Sequence, residues 1–142
     1  MTTTIPLMER RRQYRALVVE DDEAILRLVR TVLQREGFAV ECVRNGAEAI
    51  ALLREVTYEL LILDLMLPVL NGEAVLDFLS EEQSPSLRRV IVTTASPRRM
   101  SREFLERICR ILEKPFDVDH LILIARECVD TDACPIEVTE VH

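Results

Sequence analysis

The chain has no tryptophan, and aromatic residues make up only 4% of its 142 residues. A core must therefore come mainly from Leu, Val and Ile, and the hydrophobic share of 49% is enough to build one. Lysine is nearly missing as well. Of 18 Lys and Arg residues, Lys114 alone is lysine. Acidic residues dominate and leave a net charge of −7, which argues against general affinity for nucleic acid. The cysteines Cys42, Cys109, Cys128 and Cys134 include no CxxC pair, and His120 and His142 lie in no metal-ligand pattern, which argues against zinc. Cys42 and Cys109 sit inside apolar runs and read as small buried hydrophobes. No apolar run approaches the ~18 residues of a membrane span, and no signal peptide is visible. Together these absences predict a reduced, cytoplasmic protein with no membrane partner.

The length suits one domain. Short runs rich in β-branched and apolar residues occur at 16–20 (ALVVE), 38–43 (FAVECV), 59–64 (ELLILD), 89–94 (RVIVTT) and 109–112 (CRIL). Most are continuous rather than alternating, as in strands buried on both faces of a parallel sheet. Helical patterns lie between them. Ile25, Leu28, Val29, Val32 and Leu33 share one face of a helix over 23–36, which Gly37 ends. Asn45 and Glu48 open a helix running to about Glu55. A third follows the Asn71-Gly72 turn. A fourth begins with Ser96 as N-cap and Pro97 at its first position. A fifth places Val118, Leu121, Ile122 and Ala125 on one face. This order predicts an α/β fold, a flavodoxin-like (βα)5 doubly wound parallel sheet with strand order 2-1-3-4-5. Residues 1–13, with Arg10, Arg11 and Arg12, read as a solvated arm. Residues 14–129 form the domain, and 130–142 an acidic tail too short for a DNA-binding module.

Ligands of such sheets bind beyond the carboxyl ends of the strands. Glu20, Asp21 and Asp22 follow the first strand, Asp64 ends the third, Thr93 and Thr94 end the fourth, and Glu113 and Lys114 follow the fifth. Crowded carboxylates repel unless a cation enters, and a hard ion such as Mg²⁺ takes one or two carboxylates together with a phosphate oxygen. Lysine would serve there as a mobile point charge on a phosphoryl oxygen, a role the planar arginine fork does not reproduce. Bland readings stand beside these. Asp22 also reads as a plain helix cap, Glu20 and Asp21 as ordinary loop carboxylates, and the threonines as ordinary strand residues. Asp64 is harder to dismiss, because an unpaired charge ending an apolar strand is costly.

The segments LVVEDD, LLILDLMLPVLNG, VIVTTA and EKPF, in this order and spacing, resemble the receiver domain of two-component response regulators over residues 14–129. The resemblance implies roles. Asp64 would accept a phosphoryl group from a phosphohistidine on a sensor histidine kinase or histidine phosphotransfer protein. Asp21 would ligate Mg²⁺ directly, Glu20 would act through water, and the backbone carbonyl of Met66 would complete the shell. Thr94 and Lys114 would bind the phosphoryl group, and the Lys114–Pro115 bond would be cis. The implied product is a stand-alone signalling receiver rather than a conventional enzyme, catalysing only its own phosphorylation and dephosphorylation. It would act through a downstream protein target, with no nucleic acid involved. Two features depart from the family. Ile111 stands where a switching Tyr or Phe is usual, and ERICR replaces a small-residue turn before the fifth strand. The alternatives are a non-phosphorylated pseudo-receiver scaffold, favoured by Ile111, and an aspartyl phosphatase, disfavoured because Met66 is not a second acid.

Overall fold

Each apolar run becomes a strand of one parallel sheet in the computed structural model, which describes residues 13–81 and 85–133. The strands are β1 (Arg15–Val19), β2 (Ala39–Val43), β3 (Leu60–Asp64), β4 (Val90–Thr94) and β5 (Arg110–Glu113). Their order is β2-β1-β3-β4-β5, as expected, all parallel, with the sense of strand addition across the sheet switching between β1 and β3. Successive side chains alternate between the two faces. Leu17, Val19, Leu61, Leu63, Val90 and Val92 fill one layer. Ala16, Val18, Leu60, Ile62, Ile91 and Leu112 fill the other. Both faces being dry explains why the strands read as unbroken apolar runs.

Five helices cover the sheet: α1 (Glu23–Arg35), α2 (Gly46–Leu53), α3 (Gly72–Glu81), α4 (Arg102–Leu105) and α5 (Val118–Ala133). Helices α1 and α5 pack on one face; α2, α3 and α4 pack on the other. Side-chain oxygens cap the first three at their N-termini. Asp22 accepts from the Ile25 N–H, Asn45 from Glu48 and Asn71 from Ala74, each at 2.8–3.0 Å. Gly37, at φ 101°, ends α1 in a conformation that favours glycine.

Several expectations need correction. The buried stripe of α1 is Leu26, Val29, Val32 and Leu33, while Leu28 is 46% exposed. On α5 the buried stripe is Leu121, Ile124, Ala125, Cys128 and Val129, with Ile122 only half-buried. The segment after β4 is not one helix. Pro97–Arg99 form a 3₁₀ turn in which Ser96 makes no side-chain cap, and Ser101 caps the short α4 by accepting from the Glu103 N–H. Cys109 is not a free buried hydrophobe; it is disulfide-bonded to Cys128. Cys42 is free and half-buried on β2. Helix α5 runs to Ala133, past the expected domain limit at 129. The arm residues 1–12 and the tail from Cys134 onward, with Pro135 and His142, lie outside the described residues.

Candidate functional site

The carboxyl ends of β1, β3 and β5 deliver four charged groups to one place. Strand β1 ends at Val19, and the Glu20 N–H donates to the Val43 carbonyl, extending the ladder by one residue. This directs Glu20 inward, where it is 3% exposed. Asp21 is exposed beside it. Asp64 closes β3 and is 4% exposed. Carboxylate oxygens of Glu20, Asp21 and Asp64 all lie within 4.8 Å of one another. The Lys114 N–H donates to the Thr94 carbonyl (2.8 Å), which holds the residue at the end of β5. Its ammonium donates to Glu20 Oε1 at 3.0 Å and stands 3.3 Å from Asp64 Oδ2. The Lys114–Pro115 bond is cis.

Electrostatics follow from this packing. Burial pushes the Glu20 carboxyl above its usual range, although the Asp22 N–H and the Lys114 ammonium both hydrogen-bond it; the nearby Asp64 charge adds to the rise. Burial pulls the Lys114 ammonium down, but its bonds to Glu20 and the charge of Asp64 outweigh that and raise it overall. One cation, paired with two of them, therefore serves a cluster of three carboxylates. An all-oxygen donor set with excess negative charge fits a hard divalent ion, with Mg²⁺ the natural candidate.

The remaining expected residues take different places. The Met66 N–H donates to Asp64 Oδ1 at 3.1 Å and fixes that carboxylate. Thr94 is fully buried, and its hydroxyl oxygen accepts from the Ser96 N–H at 3.0 Å. Thr93 is buried opposite Asp64 in the β3–β4 register. Ile111 is half-buried beside Val92 on the α3–α4 face, the face that Thr94 shares by alternation. Asp22 is the exposed cap of α1, the bland reading of that residue.

Three features escaped sequence reasoning. Gly72 lies so close to β3 that an added Cβ would meet the Asp64 carbonyl oxygen at 2.6 Å and Leu65 Cα at 2.7 Å. The Arg44 guanidinium donates to the Asp21 carbonyl at 3.0 Å and braces the β1–α1 loop. An open apolar cleft of about 390 Å³ borders the site, lined by Ile25, Leu28, Ala95, Lys114, Pro115 and Phe116. No pattern in the chain signals the first two. The exposed Leu28, set beside Phe116 by the fold, makes the third.

The sequence profile of the response regulator receiver domain matches residues 16–126. The CpxR homolog of Haemophilus influenzae, a transcriptional regulatory protein, is 35% identical over 126 residues, covering 84% of this chain and 52% of that protein. The chain thus spans about half or less of the length of such relatives. A CheY-like receiver domain protein from Methanospirillum hungatei superposes with TM-score 0.75 at 25% identity, covering 86% of this chain and 98% of that one. The response regulator TrrA of Thermotoga maritima, solved with Mg²⁺–BeF, does so with TM-score 0.73 at 27% identity, covering 82% and 99%.

Proposed function

Because the chain belongs to the response regulator receiver family of two-component signal transduction, we propose that it accepts a phosphoryl group on Asp64 from a phosphohistidine and thereby switches a protein-binding surface. The observation carrying this reading is the convergence of Glu20, Asp21, Asp64 and Lys114 from three separate strand ends.

Asp21, Glu20, Asp64 and the Met66 carbonyl would hold Mg²⁺, which when bound supplies charge neutralisation for the incoming phosphoryl oxygens. Asp64 acts as nucleophile. One carboxylate oxygen forms the new O–P bond while the P–N bond to the donor imidazole breaks, and the imidazole leaves with a proton from solvent. The Met66 N–H orients the carboxylate from its other oxygen. Lys114, released from Asp64 and Glu20, pairs with a phosphoryl oxygen. Thr94 turns its hydroxyl from the Ser96 N–H toward the same group. The product carries about two negative charges where one stood. Lys114 and Thr94 lie at the ends of β5 and β4, so their movement reaches the neighbouring helices.

The donor is a sensor histidine kinase or histidine phosphotransfer protein, the target a downstream protein, and the site of action the cytoplasm. Among the described residues no helix is long and apolar enough to cross a membrane. A scaffold that is never phosphorylated is the rival reading, and the half-buried Ile111 favours it, because no aromatic ring stands there to move.

Incubation with acetyl phosphate and Mg²⁺, followed by intact-mass measurement, tests the proposal. One added phosphoryl group is expected, absent without Mg²⁺ and absent in Asp64→Ala. An unchanged mass with both acetyl phosphate and a cognate kinase would leave the scaffold reading standing.

A further inference from the structure

The Cys109–Cys128 bond joins the residue entering β5 to the buried stripe of α5. It closes a loop that contains all of β5, Lys114 and most of α5. We propose that this pair is a reversible thiol–disulfide site, and that its redox state sets how tightly α5 is held to the sheet. The inference does not depend on phosphorylation of Asp64.

The bond is not needed to make the fold. Small domains use disulfides where a core is too poor to suffice, typically below ~70–80 residues. Here Leu112, Leu121, Ile124, Ala125 and Val129 already bury β5 and α5 against Ala16, Val18, Ile62 and Ile91. Two thiols in that setting are small apolar groups with no polar demand. The Cα atoms are 6.2 Å apart, within the ordinary range for a bridge, so opening or closing it needs no backbone movement.

Other contacts keep the pair in register when it is open. The Cys109 N–H donates to the Val90 carbonyl at 2.9 Å, which anchors the first cysteine to β4. One residue along, Arg110 pairs with Glu127 at 3.0 Å, bridging the same two elements beside the sulfurs. Reclosure is therefore an intramolecular step between groups already held together, which favours reversibility over loss of the pairing. Access is asymmetric: Cys109 is half-buried and Cys128 is buried. Exchange enters at Cys109. Its thiolate attacks a low-molecular-weight disulfide, RSSR, forming a mixed disulfide and releasing one thiol. The Cys128 thiolate then attacks Cys109 Sγ and releases the second. Two electrons and both cysteine protons end on the two RSH molecules. Free Cys42 lies on β2, the opposite edge of the sheet, and serves as an internal control.

The consequence is mechanical. Helix α5 begins at Val118, shortly after the site residue Lys114, and carries Leu123 exposed on its outer face. With the bond closed, α5 is tied to β5 near both ends. With it open, packing and the Arg110–Glu127 and Arg126–Glu36 pairs are what restrain the far end among the described residues.

The test uses the full chain, reduced with dithiothreitol and then equilibrated with glutathione and glutathione disulfide. Acid quenching, alkylation and peptide mapping read the pairing, and amide hydrogen exchange reads α5. The reduced chain should unfold cooperatively with unchanged helix content. Oxidising buffer should give one Cys109–Cys128 cross-link with Cys42 and Cys134 alkylated. Amides of Val118–Ala133 should exchange at least about tenfold faster when the bond is open, with β1 and β3 unchanged. Cys128→Ser should stop at a mixed disulfide on Cys109 and exchange fast in both buffers. Unfolding of the reduced chain would make the bond a fixed staple and overturn the proposal. So would failure to re-form the cross-link, pairing through Cys42 or Cys134 instead, or identical α5 exchange in the two states.

Discussion

Val69 sits at φ 67° with 75% of its surface exposed, and among the described residues no other non-glycine has a positive φ. A β-branched residue in that region costs about 1–3 kcal/mol, and so little burial returns almost nothing. Asparagine tolerates the same backbone. Val69→Asn should raise stability by roughly 1 kcal/mol, read as a higher urea midpoint at unchanged slope. A lower midpoint would mean that the loop draws stability from the valine itself. Nothing in the chain announces this strain, because valine is not a residue that marks a positive φ. Lys114 is the opposite case. Its singularity among the cations marks it in the sequence, and its place between two buried carboxylates explains it. Lys114→Arg conserves charge but puts a planar fork where the proposed mechanism has a point charge leave one partner for another. Acetyl phosphate should still add mass to that variant, while the phosphorylation-dependent change in α5 amide exchange is lost. Wild-type exchange behaviour would remove the reason for the lone lysine.

At the scale of elements, periodicity located every strand to within a residue or so, because strands dry on both faces leave an apolar run whatever their neighbours do. Helix faces were less legible. On α1, Leu26 and Leu28 are chemically equal, and only the direction from which β1 and α5 approach decides that Leu26 is buried. Ser96-Pro97 has the form of a helix start, yet Ser101 supplies the actual cap. The β3–α3 connection packs closely against the end of β3. A Cβ on Gly72 would press on the backbone of Asp64 and Leu65, which cannot yield as a flexible side chain would. Gly72→Ala should therefore cost about 1–3 kcal/mol and weaken Mg²⁺ binding by displacing Asp64. Gly37→Ala is the matched control. Its Cβ would meet nothing within 4 Å, so it bears only the strain of φ 101° and should leave Mg²⁺ affinity intact. Isothermal titration beside denaturant unfolding separates the two, and equal affinity in both variants would count against the contact.

For the whole molecule, the topological rule for open parallel sheets supplied what no local pattern could: that residues as distant as Glu20, Asp64 and Lys114 meet. The same reasoning missed Cys109–Cys128, since a pairing across 19 residues follows no spacing rule and appears only once α5 lies against β5. The chain is acidic overall, with a net charge of −7, and at this edge three carboxylates share a single ammonium. Such an edge lowers stability until a cation arrives. Asp21 has no Lys114 contact and no ion pair among the described residues, and it is the most exposed of the three, so it adds repulsion. Two opposite shifts follow. Mg²⁺ at a hundred times its dissociation constant should stabilise the wild-type chain by ~2.7 kcal/mol, a rise in Tm of roughly 10 °C. Asp21→Ala should melt slightly higher than wild type without metal, by up to about 1 kcal/mol, because an exposed charge is screened. It should then gain little from Mg²⁺. Thermal unfolding of both chains, with chelator and with Mg²⁺, gives all four values. A wild-type Tm indifferent to Mg²⁺, or a variant that responds as strongly, would mean that these oxygens are neighbours without forming a metal site.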